Sequence, residues 1–324
     1  MPRTSIPAKK ATKPVAGAPS YPNGSFGIGI EMEFLLSPLA KCSAKTMRDF
    51  SRHVAASYNA YLERMASGKH PKMHNAISEA YNGPKFTEWS LDCDSTIEMP
   101  TKKSAPWGLE SISPIFRVHE KSAWRSHLEI FWRFIETDYN VSVNASCGTH
   151  VHLSRVGGYS LTDLKKICQC VIHFETAFEA LVPENRLGNE YARSNWLDNT
   201  NFAYKNLSRR QTIERIEDTS TINELVLLMN PNENKFFGWN FLYLLNNPNR
   251  TIEFRRGSGC TSAQQAFVWI EIAMSFIEAA VQLKSRKHLE RMPGTVGGLK
   301  SFIKAANLTY NVPGLYNFRY LSLF

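Results

Sequence analysis

The 324-residue sequence has no run of 18 or more apolar residues, so no transmembrane helix, and hence no membrane role, is expected. Its six cysteines, at 42, 93, 147, 168, 170 and 260, form no CxxC pair. Cys168 and Cys170 stand two apart on an expected helix and point in different directions. A disulfide framework is not expected in so long a chain, and reduced thiols in a cytoplasmic setting fit better. No HExxH segment occurs, which lowers the case for a helix-borne zinc hydrolase. No basic run interleaved with aromatics occurs either, which argues against nucleic acid. Internal repeats are absent.

Acids are missing from residues 1–30, which carry Arg3, Lys9, Lys10 and Lys13; this segment supplies four charges of the net +9. It is rich in Pro, Ala, Ser and Thr and lacks an apolar h-region, so it is no secretory signal. Residues 1–22 are expected to be a disordered basic tail. An organelle-targeting segment is the alternative, although arginine is scarce. The remaining positive charge suits an anionic small molecule such as a nucleotide.

What is present is a chain 43% hydrophobic and 12% aromatic, enough for a sizeable core in residues 23–324, expected as a single catalytic domain. Strand signals fall at 26–36, 89–99, 147–154 and 249–257. Helical spacing of apolar residues covers 43–66, 120–136, 161–182 and 262–284. Residues 183–235 are polar, rich in Asn and Arg, and read as a long loop with a short helix near 211–228; loops of that length usually carry function or disorder. Residues 285–324 are basic, then aromatic (Tyr310, Tyr316, Phe318, Tyr320, Phe324), a segment suited to capping the core. The irregular mixture of strands and helices predicts an α+β fold.

Three of the strand signals share one design. In G-I-G-I-E-M-E-F (27–34), period-two alternation puts Ile28, Ile30, Met32 and Phe34 on one face and Glu31 and Glu33 on the other. In C-G-T-H-V-H-L-S (147–154), His150 and His152 share a face with Gly148. In R-T-I-E-F-R-R-G (250–257), Thr251, Glu253 and Arg255 share a face and Ile252 and Phe254 oppose them. Taken singly, each polar pair reads as a solvated face or a local ion pair. Together on one surface they make a carboxylate–imidazole site for divalent cations. A structural zinc site wants four ligands, largely Cys and His, at short spacing, and does not fit. Mg²⁺ or Mn²⁺ fits better, with Arg255 beside Glu253 to grip phosphate. Asp92 and Asp94 in W-S-L-D-C-D-S (89–95) are turn formers by default. Glu110 stands in an apolar, Pro-ended segment. Arg186, Tyr191 and Arg193 in the long loop could hold an anionic substrate.

The ordered set F-G-I-G-I-E-M-E-F, W-S-L-D-C-D-S, G-L-E-S-I-S-P, C-G-T-H-V-H, N-R-L-G-N-E-Y-A-R and R-T-I-E-F-R resembles the amidoligase family, common in fungal genomes, over residues 26–283. That family belongs to the carboxylate-amine ligase superfamily of glutamine synthetase and γ-glutamylcysteine synthetase. The resemblance implies a curved, mostly antiparallel sheet forming a funnel, with ATP and two or three Mg²⁺ ions inside. It also implies ATP-dependent joining of a small-molecule carboxylate to an amine. By position, Glu31, Glu33, Glu110, Glu253 and one of His150 and His152 resemble the family's metal ligands, and Arg255 its phosphate-steadying arginine. After E-F-R the chain departs from the family pattern, reading R-G-S-G-C-T-S with Cys260.

Such a ligase would convert the carboxylate to an acyl phosphate before the amine attacks, so its work is charge neutralisation and alignment. Asp94 is then the candidate base for the amine, and Arg186 and Arg193 the holders of the substrate carboxylate. Two other functions compete: a metal-dependent hydrolase using the same surface, and a binding protein of the same fold without turnover.

Overall fold

The computed structural model describes residues 21–65 and 70–308; the expected tail, apart from Tyr21 and Pro22, and the aromatic stretch from Tyr310 to Phe324 lie outside them. One sheet organises the chain. Its strands are β1 (Phe26–Pro38), β2 (Met73–Asn75), β3 (Trp89–Asp92), β4 (Trp107–Ile112), β5 (Phe116–Arg117), β6 (Tyr139–Ser142), β7 (Gly148–Arg155), β8 (Trp239–Asn240) and β9 (Ile252–Ser258). They run in the order β2-β3-β4-β1-β7-β9-β8, with β5 and β6 also pairing with β1. Only β2–β3 is parallel; the other pairings are antiparallel. The expected α+β fold with a mostly antiparallel sheet is therefore the observed one.

The helices are α1 (Met47–Arg64), α2 (Trp124–Asp138), α3 (Leu161–His173), α4 (Glu175–Glu179), α5 (Thr200–Ala203), α6 (Arg209–Glu217), α7 (Ile222–Met229), α8 (Ala263–Val281), α9 (Arg286–Glu290) and α10 (Val296–Ala305). Side-chain caps set several starts: Thr46, Ser160 and Ser262 each accept from the backbone N–H three residues on. Ile28, Ile30, Met32 and Phe34 are fully buried, as are Val151, Leu153, Ile252 and Phe254. This apolar face meets the helices through contacts such as Phe34 with Phe131 and Trp132 of α2, and Phe254 with Trp269 of α8. Each such side chain contributes about 1.5–3 kcal/mol by leaving water. The other face of the same strands is left for polar groups.

The structure differs from the sequence expectations in four places. The 161–182 helix breaks at Phe174 into α3 and α4. The 89–99 strand ends at Asp92, because Asp94 Oδ1 accepts from the Thr96 N–H (2.7 Å) and turns the chain. Glu110 lies on a full strand, β4, rather than in an isolated segment. The 183–235 region holds α5, α6 and α7, and its asparagines are partly buried: Asn195, Asn199 and Asn230 have no exposed surface. Residues 296–305 do cap the core, with Phe302 of α10 against Phe174 and Phe276.

Candidate metal centre

Strand register builds the site. Glu31 on β1 lies opposite His150 on β7. His152 lies opposite Gly29 on one side and Glu253 of β9 on the other. Toward the other edge, Glu33 lies opposite Glu110, and Glu110 opposite Asp92. Directly opposed residues share a face, so seven chemistry-bearing side chains from the strands share the polar surface, and Asp94 joins them from the turn after β3. A bulge refines the convergence. Thr149 and Val151 pair with Gly257 and Phe254, so β9 carries an extra residue at Arg255–Arg256 opposite His150. Bulges of this kind re-aim side chains beside active sites. Here Arg255 stays on the polar face, while Arg256 turns inward to pair with Glu175 and Glu179 of α4.

The β9 end of this surface is charge-balanced. The Glu31 carboxylate bonds His152 Nε2 at 3.0 Å and His150 Nδ1 at 3.2 Å. Glu253 is fully buried. Its Oε1 accepts from Arg255 Nη1 at 2.5 Å and lies 3.7 Å from His152 Nε2. Its Oε2 accepts from Asn240 Nδ2 at 2.7 Å. Burial alone would raise both carboxyls. The cations outweigh it, so Glu31, facing His152 and His150, lies well below the ordinary carboxylate range and Glu253 is also lowered. Burial would depress His152, yet Glu31 and Glu253 lift it to about 9.

The β4 end is different. Burial first, then Glu31, Glu33, Asp94 and Asp92, push Glu110 up to about 8. Burial also raises Glu33, although His150 and the Gly148 N–H oppose the rise. That N–H donates to Glu33 Oε2 at 2.6 Å. A Cβ at position 148 would sit 2.9 Å from His150 Nε2 and 3.3 Å from Glu33 Oε2, so any other residue here would displace these two side chains. Arg186 is buried nearby, with Nη1 donating to Ala145 O at 2.7 Å. Burial lowers its pKa against the pull of Glu33.

Three overlapping groups offer ligand atoms that all lie within 4.8 Å of one another: Glu31–His152–Glu253, Glu31–Glu110–His150 and Glu33–Asp94–Glu110. Glu31 and Glu110 each belong to two groups, so the three form a row across the sheet. Oxygen dominates the donors, imidazole is secondary and thiolate is absent. That chemistry fits hard divalent cations such as Mg²⁺ or Mn²⁺, and the raised Glu110 carboxyl marks where positive charge is wanted.

Beside the Glu31–His152 end lies a cleft of about 600 Å³. Gly27 and Gly29 form part of its floor, Phe86 and Tyr243 stand on its walls, and Lys85, Arg117 and Arg250 supply positive charge. The Tyr243 ring packs edge-on to His152 at 5.3 Å.

The three strands singled out by alternation, β1, β7 and β9, are neighbours in the sheet, while several other candidate residues take another form here. Tyr191 reaches the site through its main chain: its carbonyl accepts from Arg255 Nε at 3.2 Å, and its ring packs on Phe236. Asp94, expected as a base, also belongs to the β4-end acid group. Arg193 is exposed, its Nε donating to Glu190 O at 3.0 Å. Cys260 is buried, 3.1 Å from Thr149 Oγ1, and burial lifts its thiol to about 12. Asn240 and Tyr243 had not been singled out. A two-residue strand and a short 3₁₀ turn give no periodic signal to find them.

Residues 25–277 match the protein family described as "Putative amidoligase enzyme". No curated protein matches the chain. Among solved structures, a "novel glutamine synthase homolog" is 13% identical with a TM-score of 0.40, over 93% of this chain and 66% of that one. An apo GmaS without ligand is 12% identical with a TM-score of 0.42, over 93% of this chain and 68% of that one. The chain thus spans about two thirds of the length of each.

Proposed function

The chain belongs to the amidoligase family, and from that premise we propose that it is an ATP- and Mg²⁺-dependent ligase joining a small-molecule carboxylate to an amine through an acyl phosphate. The observation that carries the reading is the row of three cation-binding groups on one sheet face, opening at the Glu31–His152 end into a cationic, aromatic-walled cleft.

Glu31, Glu33, Glu110, Glu253, His150 and His152 would hold divalent cations, which when bound would neutralise phosphate oxygens and polarise phosphorus. The cleft would take the nucleotide, with its phosphates toward the Glu31–His152 end and its base toward Phe86. The substrate carboxylate attacks the γ-phosphorus and ADP leaves. The amine then attacks the acyl carbon, phosphate leaves, and the amide forms.

This chain's residues serve those steps as follows. Arg255 is fixed by Glu253 and the Tyr191 carbonyl, leaving its remaining N–H groups for the equatorial oxygens of the transferred phosphate. Asp94 accepts the proton the amine must lose. Arg186 and Arg193 hold the substrate carboxylate, from the buried side and the exposed rim respectively.

The test is ADP and phosphate release from ATP and Mg²⁺ with pooled acids and amines, each pool omitted in turn. Release that needs both pools is the expected result. Release without any amine would indicate a hydrolase, and nucleotide binding without release a binding protein; either would overturn the ligase.

A further inference from the structure

Among the described residues, the longest polar region, 183–235, does not behave as a solvated loop. Its buried asparagines, with Asn240 just beyond, build an amide scaffold around β8. Asn195 Oδ1 accepts from the Trp239 N–H at 2.8 Å, and Asn195 Nδ2 donates to the Trp239 carbonyl at 2.8 Å. One side chain therefore saturates both main-chain groups of Trp239, as a neighbouring strand would. Asn230 Oδ1 accepts from the next N–H but one, that of Phe241, at 2.9 Å. Between these clamps stands Asn240, 1% exposed and in register with Glu253.

The orientation of Asn240 is fixed by its partners. Its Oδ1 accepts from the Leu242 N–H at 3.0 Å, so the NH₂ must be the group that faces Glu253 Oε2 at 2.7 Å. That leaves one Glu253 oxygen, Oε1, for His150, His152 and Arg255. A fully buried carboxylate with one oxygen capped by an amide can neither rotate to present both oxygens nor withdraw.

We propose that Asn240 is a positioning residue: braced by Asn195 and Asn230, it locks Glu253 so that a single oxygen faces the cation site. This rests on the cation-site reading above and concerns a residue that touches neither substrate nor metal. Partners of this kind typically change metal affinity by about 10–100-fold when removed. The arrangement gives Asn195 and Asn230 of this Asn-rich region a structural role. Amides supply both a donor and an acceptor in the dry interior without adding charge beside a site already crowded with it.

The experiment is Mn²⁺ titration of the full chain, free of nucleotide, by calorimetry, with a thermal melt of each variant. Asn240→Leu removes the donor at similar volume and should weaken Mn²⁺ binding about 10–100-fold. Asn195→Ala should weaken it less, and the double variant should lose less than the sum, since both act through Glu253. Asn240→Ser covers the case in which the leucine variant does not fold. It is too short to reach Glu253 and should fall in the same range. A folded variant at position 240 that binds Mn²⁺ as the wild type does, whatever its melting temperature, overturns the proposal and leaves the cation site standing. A wild type that binds no Mn²⁺ overturns both. Wild-type binding without ligase turnover, with weakened binding in the variants, supports the positioning role and defeats only the reaction.

Discussion

The two ends of the polar surface use the same residue type to opposite effect. At the β9 end, Glu31 and Glu253 are interleaved with His150, His152 and Arg255, and they are held ionised. At the β4 end, Glu110 is buried among the carboxylates of Glu31, Glu33, Asp94 and Asp92 and is driven to about 8. One end is assembled and charge-balanced before any ligand arrives. The other crowds its carboxylates, so that Glu110 keeps a proton until an added cation takes its place. The protein thus separates a preorganised half, suited to gripping phosphate, from a half whose charge state changes as the site fills.

The comparison breaks most severely at the two carboxylates of the β9 end. Glu31→Ala should lower ADP release by roughly 10³-fold or more, and Glu253→Ala similarly. The melting temperature should fall in both, because each change leaves buried cationic partners, His152 and for Glu253 also Arg255, without their counter-charge. Retained turnover in both variants would remove the metal assignment. Next in size is Arg255→Lys, expected to lower kcat by about 10²–10³-fold because an ammonium lacks the planar fork that spans Glu253, the Tyr191 carbonyl and a phosphate. A kcat near wild type would take phosphate contact away from Arg255.

The contrast in charge state sharpens with pH. A carboxyl raised in the fold from 4.5 to about 8 binds more protons folded than unfolded. The metal-free protein should therefore lose stability as pH climbs from about 4.5 through about 8, by on the order of a few kcal/mol. Glu110→Gln should flatten that slope in melts across the range. At pH 7 cation binding should release about one proton more from the wild type than from Glu110→Gln, with His152 giving up its own proton in both, visible in calorimetry as a dependence on buffer ionisation heat. An equal proton release from both proteins would refute the assignment. The smallest effect belongs to the exposed Arg193. Arg193→Ala should raise the KM for the acid several-fold, with stability within ~0.5 kcal/mol of wild type. An unchanged KM would free Arg193 of any substrate role.

The β9 end was the more legible in sequence. Alternation in β1, β7 and β9 separates core from polar face in the primary structure. Antiparallel register then brings Glu31, His152 and Glu253 together once those strands are neighbours. The β4 end was less legible. Glu110 belongs to a strand that looks like a fragment because Pro114 closes it early, and Asp94 reads as a turn residue because it is one. Least legible was Asn240. Its partner stands across a two-residue strand, and its braces come from side-chain amides that follow no period. Helix limits moved where local hydrogen bonding overrode apolar spacing, as at Phe174.

The sheet order carries a consequence for how the molecule is made. Glu31 meets His150 across 119 residues and His152 across 121, and Gly148 reaches Glu33 across 115. Contacts this distant in the chain close late and slowly, in the ms-to-s range for sheet-dominated topologies. The groups do not close together: Glu31–Glu110–His150 and Glu33–Asp94–Glu110 need only strands up to β7, whereas Glu31–His152–Glu253 waits for β9. Mn²⁺ binding followed during refolding should therefore rise in two steps, and a growing chain would gain its last group of ligands only once β9 has been synthesised.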